Sequence, residues 1–305
     1  MPSDKLPVIE RIWEMLEKEG KGRRTVYFED VRKAISYCNS KDNKRRSVNN
    51  LANFMKDLVR SDAASGNWPD ALKALRIGAR QRVGKDRVFE FRDYAADDIE
   101  PFPNRYSPKP DDLPVVVQSL SLPLASKALG RRDESWLIQV AVALNVLEQH
   151  FAHHSHLGVK ELVHLQTGVK LANSEIDGLF RAIIEKGGKR RHVLVTCEAK
   201  QQGQRILDFQ VVEQIVAAHA SIKDSVPEEE LSIDLIVPVA IKAIPPSGDI
   251  YVVEFEPWTP EEASVAEEEQ KELAYASSGV YRLSPPVPGI GFSPPRLKRR
   301  RLKKA

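Results

Sequence analysis

Cysteine is almost absent from this chain: Cys38 and Cys197 are the only two in 305 residues, and neither has metal-type partners at a recognisable spacing. That excludes a disulfide framework and a zinc ribbon, and the pair reads as reduced cytosolic thiols. Long apolar runs are lacking as well. No uninterrupted stretch approaches the roughly 20 residues needed to cross a bilayer, and the opening residues do not read as a signal peptide. The expectation is a cytoplasmic, nucleoid-associated protein with no membrane partner. Fixed-period repeats are missing, which argues against a solenoid. What remains is 42% hydrophobic content over a length that can bury a core and divide into two domains.

The net charge of +3 is also small, but it is unevenly spread. Residues 1–95 hold 21 Lys+Arg against 14 Asp+Glu, residues 96–295 hold 18 against 29, and the last ten residues add +7. A basic front beside an acidic centre suggests a front that grips phosphates and a centre that holds cations.

Within the acidic centre, Ile176 to Ile184 and His192 to Ala199 are β-prone and flank Glu185-Lys186-Gly187-Gly188-Lys189, a turn sequence. With a two-residue Gly187-Gly188 turn, residues whose numbers sum to 375 lie opposite one another. Asp177 then faces Glu198, Glu175 faces Lys200, and all four side chains project from one side of the sheet. Charges clustered on an otherwise apolar hairpin are costly to bury unless they serve one another or an ion. Two carboxylates with a lysine suit magnesium, with manganese able to substitute, and no organic cofactor is expected. Such a site activates a water towards a phosphodiester.

The pattern Asp177, then Glu198-Ala199-Lys200, resembles the PD-(D/E)xK nuclease superfamily, which includes type II restriction endonucleases and many repair nucleases. The leading proline of that pattern is replaced here by Ile176. The surrounding order also fits: a helix over Asp133 to Phe151, a strand or two short ones over Val159 to Leu171, the hairpin, a helix over Ile206 to Ile222, then strands over Ile233 to Ile241 and Ile250 to Phe255. The resemblance implies a mixed α+β fold with a restriction-endonuclease-like core (αβββαβ, a mixed sheet flanked by helices) over residues 125–258. It further implies that Asp177 and Glu198 hold the metal and that Lys200 assists the attacking water. Glu148, ahead of Glu134, is the candidate for an additional helix carboxylate, and Gln210, with Gln214, for an approach from the following helix.

In the basic front, amphipathic helices are expected over Val8 to Leu16, Phe28 to Tyr37 and Ser47 to Arg60, followed by a hairpin around Gly84-Lys85-Asp86. Three helices and a basic hairpin suggest a winged helix whose third helix enters the major groove of double-stranded DNA. Asn49, Asn50, Asn53, Lys56 and Arg60 would then read bases or backbone, and Arg80, Arg82, Lys85 and Arg87 would meet phosphates from the wing. Winged helices also serve as protein-binding modules.

The expected domains are therefore 1–95, a proline-rich linker 96–124, a nuclease domain 125–283, and a basic tail 284–305. The tail could grip nucleic acid or, in a nucleated cell, direct nuclear import. A histidine group, His150, His153, His154, His156 and His164, lacks the partners of a zinc site. One motif per chain leads to the expectation of a homodimer for double-strand cleavage. Three activities remain in view: a sequence-specific restriction or defence endonuclease, a structure-specific repair or recombination nuclease, and a non-catalytic DNA-binding regulator.

Overall fold

A computed structural model of the chain describes residues 4–42, 45–46, 51, 54–59, 64–82, 86–170, 175–201, 203–225, 233–269 and 272–291. The chain divides into two compact units, Met1–Arg105 and Tyr106–Ala305.

In the first unit, α1 (Leu6–Glu19) turns Val8, Ile9, Ile12 and Leu16 inward at helical spacing and ends on the left-handed Gly20. Next come β1 (Thr25–Tyr27), α2 (Phe28–Asp42), α3 (Lys56–Val59), α4 (Asp70–Ala74), β2 (Ile77–Gln81) and β3 (Arg87–Asp93). The strands form an antiparallel sheet in the order β1-β3-β2. Its core is aromatic: Phe91 packs edge-on against Trp13, and Phe54 stacks on Phe89. Phe102 lies 5.1 Å from Trp68, ring to ring, so the unit extends past the boundary expected at residue 95. Of the expected Ser47 to Arg60 helix, residues 54–59 contribute α3 and the buried Phe54, Met55, Leu58 and Val59.

The second unit is built on a seven-stranded mixed sheet, ordered β4-β10-β9-β8-β7-β6-β5. Its elements are β4 (Val115–Gln118), α5 (Leu124–Leu129), α6 (Glu134–Ala143), α7 (Val146–His153), β5 (Val159–Lys170), β6 (Glu175–Lys186), β7 (Lys189–Lys200), α8 (Asp208–Ser225), β8 (Leu235–Ile244), β9 (Asp249–Phe255), α9 (Pro260–Glu269) and β10 (Tyr275–Ser284). The helix, three strands, helix, strand order is present. The helix α8 carries the chain from β7 to its parallel neighbour β8, whereas β5, β6 and β7 are mutually antiparallel.

Three features differ from the sequence reading. The single helix over Asp133 to Phe151 is two helices, broken where Asn145 adopts a left-handed φ of 53°. The presumed linker contributes β4, which pairs in parallel with β10. Residues beyond 284 also join the core, through Val287 and Ile290.

The hairpin follows the register read from its turn. Gly187 and Gly188 both have positive φ, 61° and 73°, as a tight turn matched to strand twist requires. Pairing then runs from Lys186↔Lys189 to Gly178↔Cys197. From Val193 to Lys200, β7 is buried on both faces. Val193, Val195, Cys197 and Ala199 enter the core shared with α6 and α7, while Leu194 packs with Ile215 and Ala218 of α8 on the other side. Alternation puts Thr196, Glu198 and Lys200 on the α8 side.

Candidate active site

Beyond Gly178↔Cys197 the two strands change their relation. Asp177 turns its Oδ2 onto the backbone N–H of Ala199 at 2.8 Å, a side-chain contact where the sequence predicts a cross-strand pair. Gly178 lets α6 pack closely on this end of the hairpin, because a Cβ there would stand 3.0 Å from Ile138 Cδ1. The expected opposition of Glu175 and Lys200 is not formed: Glu175 is exposed, whereas Lys200 is only 1% exposed. The hairpin register does not carry past the point where Asp177 binds the partner backbone.

Three charged groups meet at this end of the hairpin. Lys200 Nζ donates to Glu198 Oε1, both side chains being buried. Gln214 of α8 donates from Nε2 to Glu198 Oε2 and, at 3.2 Å, to the carbonyl of Glu175. Burial and the adjacent Glu198 carboxylate push the Asp177 carboxyl up to about 8, and Glu134 adds to the rise. The Ala199 N–H and the Lys200 ammonium oppose that shift. Burial, aided by Asp177 and Glu198, also raises the Cys197 thiol, so Cys197 is held neutral as a core residue.

Glu134 and Glu148 have different surroundings. Glu134 stands in the first turn of α6, capped by Asp133, whose Oδ1 accepts the N–H of Trp136 at 2.9 Å, and its charge acts on Asp177. Glu148 lies beyond the break at Asn145. Burial raises its carboxyl, and its Oε2 has no hydrogen-bond partner among the described residues. The break resets the helical phase, so a position extrapolated along one continuous helix does not transfer to α7. Gln210 is buried one turn before Gln214, and its Oε1 lacks a described partner, as do Oε1 of Gln201 and Gln214 and Oγ1 of Thr196. Buried acceptors of this kind are normally satisfied by water or a ligand. Sequence reading missed Gln201 and Thr196; the signal available was their position on or just beyond the strand that carries Glu198 and Lys200.

The donor set suits a hard divalent cation. Two neighbouring carboxylates share one ammonium, and Asp177 must take up either a proton or a further positive charge. Magnesium binds through one or two carboxylates and completes its shell with water and phosphate oxygen. Among the described residues no group of three or more His, Cys, Asp or Glu side chains could hold a metal ion by itself, and this includes the histidine group. His150 is instead buried, with Nε2 3.2 Å from Glu254 Oε2 and Nδ1 3.2 Å from the Tyr281 hydroxyl.

No family model, curated protein or solved structure matches this chain.

The expected DNA contacts of the first unit are only partly described. Asn49, Asn50, Asn53, Arg60 and Lys85 lie outside the described residues, and Lys56 opens α3. Arg80 and Arg87 are partly buried on β2 and β3. Arg82 is drawn into the unit by Glu90, with Nε donating to Oε2 at 2.9 Å. No helix among the described residues is long and apolar enough to cross a membrane.

Proposed function

We propose that the chain is a metal-dependent DNA endonuclease of the PD-(D/E)xK kind, hydrolysing phosphodiesters at the Asp177–Glu198–Lys200 end of the β6–β7 hairpin. The observation that carries this reading is the meeting of two carboxylates and one lysine at that end, with burial and the adjacent Glu198 carboxylate holding Asp177 up to about 8. Asp177 and Glu198 would hold magnesium or manganese. A bound divalent cation supplies a water acidified towards neutral pH and counter-charge for the phosphate.

The protein's own groups set the rest. The Ala199 N–H fixes one oxygen of Asp177, and Gln214 fixes one oxygen of Glu198, so both carboxylates are oriented before a cation arrives. Lys200 pairs with Glu198 in a buried setting and places an ammonium where negative charge grows during attack on phosphorus. The first unit is read as a winged helix that delivers duplex DNA. Its antiparallel sheet behind helices and its excess of basic residues support that role. A restriction or defence role in a homodimer is the form of the activity we favour.

The test incubates wild type and Asp177→Ala with unmethylated plasmid and phage DNA, with and without magnesium, and resolves the products on a gel. Discrete magnesium-dependent fragments that disappear in the variant are the expected result. Smearing or nicking would place the protein with structure-specific or nonspecific nucleases. Cleavage that survives Asp177→Ala would refute the site.

A further inference from the structure

The proposed site leaves an electrostatic difficulty. Residues 96–295 carry a net charge of −11, and Asp177, Glu198 and Glu134 gather where the phosphate chain of a substrate must come. A polyanion approaches such a place only if cations stand at its rim.

Two arginines meet that need. Arg131 and Arg132, between α5 and α6, are exposed, and among the described residues neither has an ion-pair or hydrogen-bond partner. Their backbone is held tightly. Gly289, at φ +88°, packs so closely that a Cβ would stand 2.2 Å from the Arg131 carbonyl oxygen. A Cβ on Gly130 would stand 3.0 Å from the Pro288 oxygen and from the Trp136 ring. Trp136 Nε1 donates to that same Pro288 carbonyl at 2.9 Å. Immediately after the arginines, the Asp133 carbonyl accepts Gln201 Nε2 at 3.1 Å, and Gln201 follows Lys200 directly. The arginine pair is thus tied through one residue to the strand end bearing Glu198 and Lys200, and through the next residue to Glu134, whose charge reaches Asp177.

From this arrangement we propose that Arg131 and Arg132 form a phosphate clamp, seating the sugar-phosphate backbone of duplex DNA at the Asp177–Glu198 pair. They are positioning residues that bind the chain beside the bond to be cut. Arginine suits the role because its planar fork matches two phosphate oxygens and stays charged. The anchored backbone removes the cost of ordering the loop and leaves only that of the two side chains. The proposal rests on the nuclease reading of the site.

The hairpin tip supplies an internal control. Lys189, Arg190 and Arg191 are equally exposed and basic, but Arg190 lies ten residues from Lys200 along β7, about 33 Å at the usual strand rise. The experiment uses the full chain and a short duplex taken from a fragment junction of the plasmid digest. Steady-state cleavage, and duplex affinity in calcium over a range of salt, are measured for wild type, Arg131→Gln with Arg132→Gln, Arg131→Lys with Arg132→Lys, and Arg190→Gln with Arg191→Gln. The first pair is expected to raise KM about tenfold, to change kcat by less than about threefold, and to lower the slope of log affinity against log salt by about 2. Its melting temperature should match wild type, since both side chains are exposed. The lysine pair should recover the salt slope and only part of the KM. A glutamine pair indistinguishable from wild type overturns the clamp while leaving the nuclease reading intact. So does a tip variant with the same KM effect, because charge alone would then account for it. A wild type that neither cuts nor binds any DNA overturns both.

Discussion

Replacing Asp177 by asparagine should make the metal-free protein more stable at alkaline pH, although it removes a carboxylate of the proposed metal site. In the folded chain this carboxyl sits at about 8, against 3.8 for an ordinary aspartate. Between those values the folded state keeps a proton that the unfolded chain has released. Folded protein then binds more protons than unfolded, so stability falls as pH rises from about 4 and the full loss is reached above about 8. A displacement of about four units at about 1.4 kcal/mol each sets a ceiling near 6 kcal/mol. The protein relaxes around a buried charge and lets water in, so about 2–4 kcal/mol is expected in practice. Asparagine has no proton to lose, and its Oδ1 can still accept the Ala199 N–H. Thermal melts from pH 4.5 to 9 in chelator should show the two proteins converging at the acid end. At pH 9 the variant should melt higher by roughly 5–15 °C, at about 2–4 °C per kcal/mol for a unit of this size. Adding magnesium should stabilise wild type increasingly with pH, because the cation replaces the proton, and should barely move the variant. Parallel melting curves for the two proteins across the range, with no magnesium effect on wild type, would refute the reasoning.

Other outcomes follow from the same contacts. Lys200→Met leaves Glu198 buried without its ammonium, so it should cost about 3–5 kcal/mol in chelator. Magnesium should return part of that loss, cleavage should be abolished, and duplex affinity should stay near wild type in a binding assay. Gln214→Leu deprives Glu198 and the Glu175 carbonyl of a donor, so chemical denaturation should show a loss of about 1–3 kcal/mol. Cleavage in that variant should fall at least tenfold, whereas a silent Gln214→Leu would remove this residue from the site. A fragment of residues 1–105 should bind duplex DNA with a steep salt dependence, read by fluorescence anisotropy. A fragment ending at 95 loses the Phe102–Trp68 contact and should be less stable.

Sequence made the centre of the second unit legible and its margins obscure. The hairpin could be read because Gly187-Gly188 leaves little choice of turn, and a fixed turn dictates every pair up to Gly178↔Cys197. The same reasoning failed one residue further on, where Asp177 binds the Ala199 backbone. Strand β4 was hidden because its four residues sit in a proline-rich stretch and pair with β10, more than 150 residues away. The break between α6 and α7 was hidden for the opposite reason. Apolar residues continue across it at helical spacing, and only the left-handed backbone of Asn145 interrupts the helix. That interruption separates the surroundings of Glu134 from those of Glu148 in a way no periodicity count would show. In the first unit, Phe102 joins the aromatic core from past the boundary expected at residue 95, inside a proline-rich stretch that gives no core signal.

The glycine turn at the far end of the hairpin makes the chain's tolerance of change strongly uneven. Substituting Lys189, Arg190 or Arg191 alters exposed positions and leaves the pairing intact. Inserting one residue between Gly188 and Val193 shifts β7 by one place, and in a strand one place exchanges the faces. Glu198 and Lys200 would then enter the hydrocarbon layer of α6 and α7, and Cys197 and Ala199 would take their places beside α8. Length here is fixed by chemistry some ten residues away, while composition is left open. Drift in this protein should therefore leave substitutions at the tip and very few insertions, and a library combining both would separate the two by surviving fold before any activity is assayed.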